Sequence, residues 1–244
     1  MIGELGKKFY AAKFYSYEAL QAEDVGGEGV KLVSDFNKAD RSLALDCDFT
    51  STDPQGPVTP FFSRRKPEGK GYKAKADADS MNRLYTVEAA YSLTGGLADH
   101  RLRVAPSQVQ LIAQAVAAKV GVPGITAPAL DADQEKWVTA LAKDLQSKAG
   151  RSLVLAGSRQ SVGVRNLALA INRALGSLGA DKPMQALQSE ATGLGSITEL
   201  KSDIEGGAIE TLILLTPSNP VYDAPADLEF GKLLGKVKTS IHLG

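Results

Sequence analysis

The chain has 244 residues, and 28 Lys plus Arg balance 28 Asp plus Glu, so there is no net field to draw in nucleic acid or an acidic membrane surface. Cys47 is the single cysteine and His100 and His242 stand far apart, which excludes an internal disulfide or a four-cysteine cluster and argues against zinc. No apolar run reaches the ~18 residues of a membrane-spanning helix, so direct membrane insertion is not expected.

Residues 1–29 read as a lead-in: FYAAKFYSYEAL suggests a short helix or an irregular segment, and Met1–Tyr10 has neither the apolar core nor the twin arginine of an export signal. Val30–Val33 and Ser42–Cys47 predict two strands around the polar DFNKADR. Asp46 and Asp48 follow, two apart, and share a side if the strand continues. Such a pair could serve acid–base work or a metal, or be solvated loop acids. Residues 50–80 carry four of the eleven prolines and predict a long excursion. Within it, Arg64, Arg65 and Lys66 could meet a phosphate or an acidic partner, or form a solvated charged face.

Leu84–Val87 predicts a buried strand ending at Glu88. Ser92, Thr94, Gly95 and Gly96 follow as loop chemistry, and His100–Val104 alternates as an edge strand does. Pro106 breaks that strand, and Ser107 with Gln110 forms a capping box that opens a helix to about Lys119, with Val109, Ile112 and Val116 on one face. GVPGITAPAL then reads as a linker, which divides the chain into a first lobe over 30–122 and a second over 123–244.

In the second lobe Asp133 opens a helix with Trp137, Val138, Leu141 and Leu145 on one side, and Gly150 ends it. Ser152–Ala156 predicts a buried strand, followed by the turn Gly157-Ser158-Arg159-Gln160-Ser161 and a helix bearing Leu167, Ile171 and Leu175. Amide groups at such a helix start favour an anion, although the turn is neither GxGxxG nor a P-loop, and the glycine could equally serve the turn alone. Ser196 and Glu199 form a capping box for a helix that stops at Gly206. Thr211–Leu215 is the most apolar strand and the natural candidate for a central position. Asn219-Pro220 follows, a helix begins at Pro225, and Val237–Ile241 is a last strand. Strands alternating with helices predict an α/β fold: a mostly parallel sheet with helices on both faces, in two Rossmann-like lobes.

The passage T-G-x-x-A-D-H-R-L-R-V-x-P-S from Thr94 to Ser107 resembles the middle of the molybdopterin oxidoreductase fold. It is most similar to the degenerate version in the iron–sulfur subunit of the bacterial alternative complex III, a quinol-oxidising respiratory assembly, and the similarity extends from Val30 to Gly244. The resemblance implies that Gly157, Ser158, Arg159 and Gln160 after one strand, and Asn219 and Pro220 after another, occupy cofactor-gripping positions. Pro217 stands where the family has glycine. In the first lobe the chain has Asp46-Cys47-Asp48-Phe49 where an active member has a similar turn, and carboxylates there oppose a pyrophosphate. That D-x-D-F form is expected of the branch that keeps the fold without the cofactor.

The resemblance therefore implies a non-catalytic scaffold, with no catalytic residue, metal ligand or cofactor of its own. Its partners would be other subunits of a membrane-bound electron-transfer complex, on the periplasmic side of the membrane. The family pattern continues past Gly244, which suggests an excised domain or a shortened relative. The alternative is a fragment of an active molybdopterin-dependent oxidoreductase, holding molybdopterin guanine dinucleotide through the Gly157 and Asn219 turns. An unrelated nucleotide-binding α/β enzyme is a third possibility.

Overall fold

The computed structural model describes residues 2–17, 25, 30–65, 81–188, 194–217 and 219–243. In chain order these form α1 (Ile2–Lys8), β1 (Val30–Ser34), β2 (Arg41–Leu45), α2 (Thr59–Ser63), β3 (Arg83–Glu88), α3 (Leu93–Gly96), β4 (His100–Arg103) and α4 (Val109–Lys119). There follow α5 (Ala132–Ser147), β5 (Ser152–Ala156), α6 (Val162–Ala174), β6 (Met184–Gln188), α7 (Ile197–Glu205), β7 (Thr211–Leu215), α8 (Pro220–Asp223), α9 (Phe230–Leu234) and β8 (Thr239–Leu243). Residues 66–80 of the proline-rich excursion, with Lys66, lie outside the described residues.

The chain divides into two compact units, residues 22–190 and residues 1–21 with 191–244. This differs from the division at 122/123 read from the sequence, because β5 pairs in parallel with β2 and so joins the sheet of the first strands. The lead-in is not separate either. Tyr15 bridges Gly195, Ser16 N–H donates to the Gly195 carbonyl (2.9 Å), and Lys13 and Tyr15 both bond the Asp203 carboxylate.

The unit 22–190 is built on a four-stranded parallel sheet in the order β4-β3-β2-β5, flanked by helices, so the α/β fold class holds. Alternation along each strand sends side chains to both faces. Leu43, Leu45, Tyr85, Val87 and Val154 meet the apolar faces of α4, α5 and α6. Ala44, Leu84, Leu153 and Leu155 meet a cluster in which Phe36 stacks on Phe49 (4.7 Å between centroids) and Phe61 stands edge-on to Phe49 (5.1 Å). Burial on both faces is what parallel strands require.

The central strand is β2, buried at every residue although it contains Arg41 and Ser42. Arg41 is tolerated because its Nε donates to Asp144 (2.8 Å), which also receives Arg83 Nη1 and the Tyr85 hydroxyl (both 2.8 Å). Burial opposes the charge on Asp144, but the Arg41 and Tyr85 hydrogen bonds outweigh it and lower the carboxyl's pKa. β5 is an edge strand, and α6 covers its open side: Asn172 accepts from Val154 N–H (2.9 Å) and donates to the Val154 carbonyl (2.7 Å), as a neighbouring strand would.

Elsewhere the outcome differs from expectation. The Thr211–Leu215 strand is not central: among the described residues it pairs only with β8, and Ile213 and Leu215 are 53% and 56% exposed. β1 pairs antiparallel with β6, a strand that its sequence MQALQ does not announce. The Ser107–Gln110 box does not form: α4 begins without a side-chain cap, and Gln108 Oε1 accepts from Ala105 N–H (3.1 Å) across the 3-10 turn Pro106–Gln108 that leads into it. The helix expected from Pro225 is split into a 3-10 turn (Ala226–Leu228) and α9 by the left-handed residue Glu229 (φ 47°). The Ser196–Glu199 capping box forms as read.

Candidate functional site

β2 lies between β3 on one side and β5 on the other, so the chain changes winding direction at the β2–β5 pair. In open α/β sheets the crevice beyond the carboxyl ends of such a pair is where ligands bind. Two loops reach it here: Asp46–Thr50 from β2 and Gly157–Ser161 from β5.

Asp46 does not continue the strand. Its φ of 47° turns the backbone into the left-handed region, so Asp46 and Asp48 are not alternate residues of one strand and do not form the side-by-side pair considered above. The turn presses the Asp46 carbonyl onto Gly157, where a Cβ would lie 2.0 Å from that oxygen, and Gly157 N–H donates to Leu45 O (3.0 Å). Gly157 is therefore required for close approach of two backbones.

Both loops then satisfy each other's polar groups. Gln160 Nε2 donates to Asp46 Oδ2 (2.7 Å), and Ser158 N–H donates to Asp53 Oδ2 (2.8 Å), while Gln55 holds the other Asp53 oxygen (3.1 Å). Ser161 caps α6 through Val164 N–H. Of the four residues expected to grip a cofactor here, Gly157 serves the close approach and Ser158 and Gln160 are already bonded to carboxylates of the same chain. Arg159 is exposed. The donors a pyrophosphate would use face anions supplied by Asp46 and Asp53, so this loop does not fit that group.

Asn219 and Pro220 belong to the other compact unit. Asn219 is an N-cap, its Oδ1 accepting from Val221 N–H (3.0 Å), and Pro220 is the first residue of α8.

No protein-family model and no curated protein matches this chain.

The β2 and β3 ends form a second group that composition alone did not single out. Asp48 Oδ1 accepts from both Thr94 N–H (2.9 Å) and Thr94 Oγ1 (2.8 Å), and Thr94 Oγ1 in turn accepts from Thr50 N–H (3.2 Å). Burial opposes the Asp48 charge, but the Thr94 and Thr52 bonds outweigh it and lower its pKa. Beside it Glu88, 2% exposed, receives Arg101 Nε and Ser92 Oγ (both 2.5 Å). Gly95 passes directly over this carboxylate, where a Cβ would stand 1.9 Å from Glu88 Oε1. The result is a rigid floor under α3. Among the described residues no three His, Cys, Asp or Glu side chains converge as a metal-binding group. Cys47 is buried, and burial followed by the nearby carboxylates of Asp53, Asp48 and Asp46 pushes its thiol well above the ordinary range.

The basic residues of the excursion have structural partners. Arg64 bonds the Ala39 carbonyl (2.7 Å) and Asp40, and Arg65 makes a two-pronged contact with Asp99 (2.9 and 3.0 Å). Neither is left for a phosphate. Asp53, which closes the crevice, went unnoticed in the sequence because only the fold brings residues 53 and 158 together; the one local hint is its place before Pro54, where aspartate commonly receives backbone amides.

Proposed function

We propose that this chain is a molybdopterin-oxidoreductase-like domain that works as a non-catalytic scaffold in a respiratory quinol-oxidising electron-transfer complex. It would act on the periplasmic side of the membrane, with sister subunits as partners. The observation that carries this reading is the filled crevice: at the point where an open α/β sheet receives its ligand, Asp53 holds the Ser158 amide and Asp46 holds the Gln160 side chain. A pyrophosphate entering there must displace two carboxylates from hydrogen bonds and then sit beside them. At an effective dielectric near 20, each unit-charge repulsion at 4 Å costs about 4 kcal/mol. Among the described residues no helix is long and apolar enough to cross a membrane.

The test is to produce the chain in a host that makes molybdopterin and to measure molybdenum by elemental analysis and pterin by fluorescence after oxidation. Neither should accompany the purified protein. Stoichiometric molybdenum or pterin would overturn the scaffold reading in favour of a fragment of an active oxidoreductase.

A further inference from the structure

A solvent-open depression of about 620 Å³ lies over the β2 and β3 ends, lined by Asp48, Thr50, Phe62, Tyr91, Leu93 and Leu97 among others. Its walls are apolar and exposed: Tyr91 is 74% accessible, Leu93 65% and Phe62 42%. These residues are not on a loose loop. Ser92 caps α3 through Gly95 N–H (2.9 Å) and is tied to Glu88, Thr94 is tied to Asp48, and Arg101 lies over the Tyr91 ring at 4.8 Å. Large apolar side chains held rigidly in water, around a polar floor, have the make-up of a protein-docking hot spot.

The charge at the floor says what fits. Glu88 is neutralised by Arg101, but no basic side chain among the described residues forms an ion pair with Asp48. Asp48 Oδ1 is occupied by Thr94, and Thr52 reaches the same carboxylate through its backbone N–H and, at 3.5 Å, through its hydroxyl on Oδ2, so the carboxylate's hydrogen bonds come from neutral donors. An anion bonded only to neutral donors, set between aromatic and aliphatic walls, calls for a cation whose charged group is flat and tolerates apolar contact. Guanidinium meets both demands, because it stacks on aromatic faces and is more weakly hydrated than an ammonium group.

We propose that this depression is a docking site for an arginine side chain of a partner protein, with the guanidinium on Asp48 Oδ2 and a neighbouring apolar residue of the partner against Tyr91, Leu93 and Phe62. The inference rests on the scaffold reading, since it gives that scaffold a face for its partner.

The full chain, labelled with ¹⁵N, is titrated with acetyl-Leu-Arg-Leu-amide and with the same peptide carrying citrulline, which keeps the shape and removes the charge. Saturable shifts of the Thr94, Gly96 and Leu97 amides are expected with the arginine peptide. Binding should be roughly tenfold weaker for citrulline and for Asp48→Asn, the ratio for loss of one charge-assisted hydrogen bond. The exposed change Tyr91→Ser should weaken the arginine peptide similarly and does not depend on whether Asp48→Asn folds. Absence of saturable shifts at these amides, or equal binding of the two peptides, overturns the proposal. Either failure removes the docking site and leaves the molybdenum assay to decide the scaffold reading separately.

Discussion

At the scale of single residues, the crevice is closed by contacts with no slack. Gly157→Ala must push a methyl group into the Asp46 carbonyl, a backbone atom that cannot swing away. Overpacking of this kind costs about 1–3 kcal/mol, and urea unfolding should report a lowered midpoint with an unchanged slope. A midpoint within experimental error of the parent would mean that the two loops do not meet as described. Cys47 makes a second residue-scale prediction. Its side chain is 2% exposed and its thiol is held protonated by burial and by three nearby carboxylates. Iodoacetamide at pH 8 should leave it intact in the folded protein and alkylate it fully in denaturant. Rapid labelling under native conditions would contradict its place in the core.

At the scale of elements, the edge of the parallel sheet depends on a side chain rather than on another strand. Asn172 satisfies both the N–H and the carbonyl of Val154 and also donates to Ala168 O (2.9 Å), all in a buried setting. Asn172→Leu keeps the branched outline of the side chain and raises the helix propensity of α6, but strands two backbone groups of β5. Each unsatisfied buried group costs about 1–3 kcal/mol, so a loss of about 3 kcal/mol or more is expected. Hydrogen exchange gives the more specific check, since the Val154 amide should lose its protection first. Retained protection at Val154 with unchanged stability would show that the bond is dispensable.

At the scale of the whole molecule, carboxylates bound to arginine tie the amino ends of the sheet strands together and set the response to acid. Asp40 receives Arg151 Nε (2.7 Å) and Nη2 (2.8 Å) together with Arg64. Burial would raise its pKa, but these bonds outweigh burial and bring the carboxyl down from 3.8 to about 2. A depressed carboxyl contributes stability that is complete above the unfolded value near 4 and disappears as pH falls through the folded value near 2. Asp48, Asp99 and Asp144 are lowered as well and act in the same direction. Stability should therefore fall steeply between about pH 4 and pH 2. Asp40→Asn should cost about 2 kcal/mol at pH 7 and flatten that acid limb. Thermal unfolding measured across the pH range decides it, and an unaltered acid limb in the variant would remove Asp40 from the account.

Local chemistry determined much of this protein from sequence alone. The β5 boundaries, the Ser196–Glu199 cap, the turn at Gly157 and the α/β class are legible because each depends on residues a few positions apart: alternation, caps and breakers. The partners of those elements were decided only by the tertiary structure. β2 can begin at a buried Arg41 only because Asp144, some hundred residues on, neutralises it, while β7 looks central yet leaves two apolar residues in water. Apolar content measures how willing a strand is to be buried, not which face is covered, and that depends on long-range pairing. The candidate site divides in the same way. The glycine turn and the D-x-D-F segment could be read directly, but Asp53 beneath Ser158 could not, because a hydrogen bond spanning 105 positions has no local signature.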